Sequence, residues 1–150
     1  MTTIAHATIV MERTYSASPA RVFAAWADID ARKRWSAPTE DIRIEYEEAD
    51  FREGGRDVSR CIELGNEDYI AAVTYIDIKR DNRIAFVEDI RHGPKRVSAA
   101  LITMQLTPTG AATHLLLTMQ IASFDGANME QGYQFGWSAA LDNLGKEFDR

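Results

Sequence analysis

Glu88 is the residue whose place in the pattern is best suited to chemistry. Between Arg83 and Arg91 it shares a parity with Ile84, Phe86 and Ile90, and residues two apart line one face of a strand. A carboxylate on an apolar face loses its water and holds its proton to higher pH, which makes it an acid/base or an anchor for a ligand's polar group. Arg13 has the same standing in the first alternating segment, where it shares a parity with Ile9, Met11 and Tyr15. If both parities face inward, guanidinium and carboxylate should lie in contact, because an isolated buried carboxylate is costly. The alternative is a bulge or strand end that puts either one in water.

Other constellations with catalytic spacing are missing from the sequence. His6, His92 and His114 lie far apart, and no pair has metal-ligand spacing. Cys61 reads as a small packed or half-exposed residue near a strand end, with no histidine close in sequence to activate it. There is no G-x-S-x-G elbow, phosphate-cradling loop or dinucleotide fingerprint, so neither metal nor cofactor is expected. The side chains expected to line a cavity are Phe86, Met104 and Met119 from strands, and Trp35, Tyr133 and Trp137 from helices. Met104 and Met119 equally suit the filling of a solid core. Tyr133 and Trp137, one helical turn apart, carry polar tips that need a partner when buried.

These residues need elements to hold them. From Asn128 to Phe148 the apolar residues Met129, Tyr133, Trp137, Ala140, Leu141, Leu144 and Phe148 form one helical stripe. Twenty-one residues make a rod of roughly 30 Å, and Asn128 with Gln131 resembles a capping box. Gly136 on that rod suggests close approach to a neighbour. Ile4 to Tyr15 alternates as a strand. Ser18-Pro19 then opens a short helix carrying Val22, Phe23 and Trp26, and Asp28 caps a second one running to about Trp35.

From Asp41 to Ala122 six further strands are separated by turns at Gly54-Gly55, Gly65-Asn66, Asp81-Asn82, His92-Gly93-Pro94 and Thr109-Gly110. Asp50 and Arg52 are expected to pair across the first of these. The order predicts an α+β fold: a curved seven-stranded antiparallel sheet, two short helices after strand 1, and one long C-terminal helix packed in the concave face. An apolar pocket is expected where the short helices meet the long one.

A chain of 150 residues reads as a single domain over 1–150. The net charge of −6, with basic residues scattered, argues against nucleic acid or an anionic membrane as partner. No stretch approaches 18 consecutive apolar residues, and MTTIAHATIVMER lacks the basic start and apolar core of a signal peptide. With one cysteine no disulfide framework forms, and a cytoplasmic location is expected. Homodimerisation is left open.

The segment Arg13-Thr14-Tyr15-Ser16-Ala17-Ser18-Pro19, continuing through Val22-Phe23 to Ala25-Trp26, resembles the opening of the START-like helix-grip (polyketide cyclase/SRPBCC) proteins. Trp35, Asp50-Phe51-Arg52-Glu53-Gly54-Gly55, Gly136-Trp137 and Leu141-Asp142-Asn143-Leu144 follow in the same order, and are similar to the branch related to the C-terminal domain of the Hsp90 ATPase activator. The resemblance covers the chain from about Arg13 onward and implies a helix-grip fold. It also implies binding of a small hydrophobic molecule between sheet and long helix. Its alternatives are a polyketide cyclase or hydrolase-like enzyme using Glu88 or a tyrosine, and a chaperone-partner module. Arg13, Trp35, Phe86, Met104, Met119, Tyr133 and Trp137 are the expected ligand contacts; whether the domain is an enzyme is left open, and Glu88 is the best candidate for a catalytic group.

Overall fold

In a computed structural model describing residues 3–149, the alternating segments become seven antiparallel strands. These are β1 (Ile4–Tyr15), β2 (Ile42–Glu48), β3 (Arg56–Glu63), β4 (Tyr69–Lys79), β5 (Arg83–His92), β6 (Lys95–Thr109) and β7 (Ala112–Phe124). Their order across the sheet is β1-β7-β6-β5-β4-β3-β2. Strands β2 to β7 therefore form a meander, and β1 returns to lie against β7. The helices α1 (Pro19–Ala27) and α2 (Ile29–Trp35) carry the chain from one edge to the other, and α3 (Glu130–Lys146) follows the last strand.

Local chemistry sets the helix ends. Ser18 Oγ accepts from the Arg21 N–H at 3.2 Å and Pro19 occupies the first turn, while Asp28 accepts from the Asp30 N–H at 3.3 Å to start α2. The Trp35 indole N–H donates to the Ala25 carbonyl at 2.9 Å, locking the two short helices together.

The start of α3 departs from the sequence reading. Asn128 adopts φ +47° outside the helix and its capping box with Gln131 does not form; the helix begins at Glu130 without a side-chain cap. Ser123 Oγ takes the Met129 N–H at 3.0 Å instead. The far end also stops short of Phe148, tightening at Glu147–Asp149 into a single 3₁₀ turn.

The two halves of the sheet carry different volumes on their inner face. On β1, β6 and β7 that face bears Ile9, Met11, Ile102, Met104, Leu115, Leu117 and Met119, all buried in one cluster with Leu141 and Leu144 of α3. The Tyr15 hydroxyl donates to the Leu141 carbonyl at 2.6 Å and ties the helix down there. On β3 and β4 the inner face bears Asp57, Ser59, Cys61, Ala71 and Val73, which are too small to reach the helix.

Two glycine sites, Gly54-Gly55 and Gly136, were expected to serve backbone geometry, and only the first does. A Cβ on Gly55 would meet the Asp50 carbonyl oxygen at 2.2 Å, and Gly54 has φ +78°. The turn they build holds Tyr75, through Gly54 N–H to the Tyr75 carbonyl at 2.9 Å and Tyr75 N–H to the Gly55 carbonyl at 3.0 Å. Arg52 and Asp50 pair across it at 2.8 Å, exposed. Gly136 makes no close approach, because a Cβ there would meet nothing within 4 Å.

Candidate functional site

The mismatch between the two halves leaves a cavity of about 550 Å³ between α3 and strands β2 to β5. Its floor is the run of small inward residues on β3 and β4. Its walls are aromatic: Tyr46 and Tyr75 from the sheet, Trp26 and Trp35 from the short helices, Tyr133 and Trp137 from α3. The Trp137 ring stacks on Trp26 at 5.7 Å and meets Phe86 at 6.5 Å, while Trp26 packs on Trp35 at 5.0 Å. Gly132 and Gly136, one turn apart on α3, also border the space, so the helix is hollowed where it passes over the floor.

Three charged side chains line this cavity: Arg32, Asp57 and Glu88. Arg32 reaches in from α2 and donates through Nη1 to Asp57 Oδ2 at 2.9 Å and to the Tyr75 hydroxyl at 2.6 Å. Tyr75 itself donates to Asp57 Oδ2 in a very short bond, and Asp57 Oδ1 accepts the Asp50 N–H at 2.9 Å. The guanidinium also lies 5.1 Å from the centre of the Tyr46 ring. Burial works against the Arg32 charge, but Tyr75, Tyr46 and Asp57 outweigh it and hold the guanidinium more firmly protonated than usual. Desolvation pushes the Tyr75 and Tyr46 hydroxyls up, so both phenols stay protonated around the Arg32–Asp57 pair.

Glu88 lies two strands from Asp57 and is buried, at 8 % exposure. Burial pushes its carboxyl up to about 7; the Tyr133 hydroxyl facing it lowers the value and the Asp89 carboxylate raises it. Tyr133 is held by Ser98, with Oγ and hydroxyl 3.2 Å apart, and is pushed well above the ordinary tyrosine range by burial and by Glu88. Glu88 can thus gain or release a proton near neutrality, while the Tyr133 phenol beside it stays protonated.

The structure brings together Trp35, Phe86, Glu88, Tyr133 and Trp137 on this cavity. It does not bring Arg13 there. Arg13 stands opposite Leu115 at the end of β1 and comes up under the second half of α3, pairing with Asp142 at 2.9 Å and donating to Ser138 Oγ at 3.0 Å. Three strand steps separate β1 from β5, so the expected contact between Arg13 and Glu88 is not made. Met104 and Met119 are also displaced from the cavity: both are at 0 % exposure in the filled half, opposite Leu117 and Ile102.

The sequence reading missed Arg32, Asp57 and Tyr75. A basic residue near the end of a short helix reads as solvated. One signal was available. Arg32 precedes Trp35 by one helical turn, and Asp57 and Ser59 share a parity with Cys61.

The remaining reactive groups stand apart. Cys61 borders the cavity, but burial, then Glu63 and Asp68, push its thiol up, away from a reactive thiolate. His114 pairs with Glu12 at 3.0 Å, and His92 stacks on Tyr69 at 4.0 Å. Among the described residues no group of three His, Cys, Asp or Glu is placed to hold a metal ion. Among those residues no helix is long and apolar enough to cross a membrane.

Residues 16–149 match the family model described as activator of Hsp90 ATPase homolog 1-like protein. A comparison with curated proteins gives no match. Among solved structures, the Mll3558 protein from Rhizobium loti is 38% identical over 97% of this chain and 99% of that one, with a TM-score of 0.88. An uncharacterized protein from Rhizobium leguminosarum is 29% identical over 97% and 95% of the two chains, with a TM-score of 0.87. Protein CV1439 from Chromobacterium violaceum, at 22% identity over 93% and 96% and a TM-score of 0.79, shares the fold.

Proposed function

This chain belongs to the activator of Hsp90 ATPase homolog 1-like family, and on that premise we propose that it is a single binding domain for a small, mainly hydrophobic molecule held between the sheet and α3. The observation that carries this reading is the unfilled space. Packed interiors hold few voids larger than a water molecule, yet a cavity of about 550 Å³ persists here beside a fully packed half of the same sheet. That volume falls within the range of about 300–1,000 Å³ common to small-molecule sites. Its aromatic walls with few polar groups fit a ligand that is mostly ring or hydrocarbon. The lone thiol of Cys61 suits a reducing, cytoplasmic setting.

A thermal-shift panel of fatty acids, flavonoids and aromatic polyketides tests this reading. A ligand at a hundredfold excess over its Kd stabilises the folded state by about 2.7 kcal/mol, and Trp137 fluorescence should change with it. No stabilisation by any member of the panel, and no fluorescence change, removes the reading.

A second reading is favoured by Glu88 alone. A carboxyl titrating at about 7 beside a tyrosine has the properties of a general acid/base, which suits a cyclase or hydrolase-like reaction on the bound molecule. Turnover of a bound substrate that is lost in Glu88→Gln while binding remains supports it; equal turnover in both proteins removes it.

A further inference from the structure

The charge balance of the cavity rests on one side chain. Arg32 and Asp57 neutralise each other at 2.9 Å, and no ion pair among the described residues includes Glu88. The titratable groups facing Glu88 are Tyr133 from α3, Tyr46 from β2 and Asp89 on its own strand. Asp57 stands across Val73 on β3, held by Arg32 of α2, and Ser98 on β6 is engaged with Tyr133. None of the groups adjacent to Glu88 is a cation.

Buried carboxylates are ordinarily paired, so an ionised Glu88 lacks the positive charge that its surroundings call for. The surfaces around it are also suited to a cation. Phe86 lies two residues earlier on the same face of β5, Trp137 approaches Phe86 at 6.5 Å, and Tyr133 precedes Trp137 by one turn of α3. Ring faces carry negative quadrupole density that attracts ammonium groups, and the chain as a whole is at −6. An anionic ligand would meet an ionised Glu88 with no counter-charge, and its alternative pole, Arg32, already holds a carboxylate.

We propose that the cavity selects a lipophilic organic cation, an aryl- or alkylammonium whose nitrogen pairs with Glu88 among Phe86, Tyr133 and Trp137 and whose apolar body fills the rest of the space. This rests on the ligand-binding reading above and names the chemistry of its ligand.

Three probes with one aromatic body test it by calorimetry on the whole chain: naphthylmethylammonium, naphthylmethanol and naphthoate, at about pH 8, where Glu88 is ionised. The ammonium should bind about tenfold or more tighter than the alcohol. In Glu88→Gln its affinity should fall to that of the alcohol. In the wild-type protein the preference should shrink on going to about pH 5, as Glu88 takes up its proton, and this series decides the matter even if the variant does not fold. Equal binding of ammonium and alcohol, or tightest binding of naphthoate, overturns the proposal while leaving the cavity as a binding site. Binding of none of the three overturns the proposal, and the fatty-acid, flavonoid and polyketide panel then decides whether the cavity binds a ligand at all.

Discussion

Asp57 and Glu88 stand on one cross-strand row of the sheet, on either side of Val73, with which each is in register. Two strand spacings put them about 10 Å apart. They are carboxylates on the same face, bordering the same cavity, yet their circumstances are opposite. Asp57 has a guanidinium, a phenol and a backbone N–H around it, whereas Glu88 has the Tyr133 hydroxyl and no cation beside it. Environment alone separates a structural ion pair from a titratable group.

Folding stability should therefore depend on pH through Glu88. Its folded-state value of about 7 lies above the ordinary 4.5, so between those values the folded chain holds a proton that the unfolded chain has released. Stability contributed by this group is complete below about pH 4.5 and falls as pH rises through about 7. The penalty above that range is on the order of 3 kcal/mol. Urea titrations should show Glu88→Gln more stable than the wild type at about pH 8, with the difference shrinking toward about pH 5. A constant difference across that range would mean that the Glu88 carboxyl is not desolvated.

Asp57 should behave in the opposite way to substitution. Asp57→Ala leaves the Arg32 guanidinium buried without its counter-charge, and breaking a buried pair from one side costs about 3–5 kcal/mol. Replacing both, as Arg32→Met with Asp57→Leu, should recover much of that loss, because no charge is then left unpaired. Denaturant midpoints of the two variants check this. If the double variant is no more stable than Asp57→Ala alone, the loss in Asp57→Ala does not come from an unpaired Arg32 charge.

Much of the fold was legible because it follows from periodicity. The α3 stripe through Tyr133, Ala140, Leu141 and Leu144 is buried as its spacing requires, and strand parity put Glu88, Ile84 and Phe86 on one inner face. Periodicity ranks faces, however, and cannot say which inward residues are opposite one another. Arg13 and Glu88 share an inward sense but are three strands apart, and Met104 and Met119 face inward over the filled half. Whether a void exists depends on summed volumes from distant segments, here Ser59, Ala71 and Val73 against Gly132 and Gly136. Arg32 was hidden for a related reason: burial of a charge follows from a partner that arrives 25 residues later.

Leu141 is the plainest check on the packed half. It is fully buried over the sheet, at 0 % exposure, so Leu141→Ala should destabilise by about 2–5 kcal/mol through lost transfer energy and the cavity left behind. A loss below about 0.5 kcal/mol, as for a surface change, would mean that α3 is rotated from the position described.

Gly136 offers the complementary test over the open half. It follows Tyr133 by three residues and precedes Ala140 by four, and both of those are buried, so its missing side chain points toward the sheet. A Cβ there meets nothing within 4 Å, so Gly136→Ala clashes with no neighbour and removes the backbone entropy that glycine adds to the unfolded chain. The variant should be more stable by about 0.5–1 kcal/mol. Gly55→Ala, by contrast, drives a Cβ into the Asp50 carbonyl at 2.2 Å and should be destabilised. A larger side chain separates fold from function: Gly136→Leu extends into the cavity without displacing a packed neighbour, so it should leave the thermal midpoint close to that of Gly136→Ala while abolishing stabilisation by any ligand of the wild-type protein. If Gly136→Leu is strongly destabilised instead, the space beneath Gly136 is occupied. If it folds and still binds ligand with wild-type affinity, the ligand lies elsewhere than under α3.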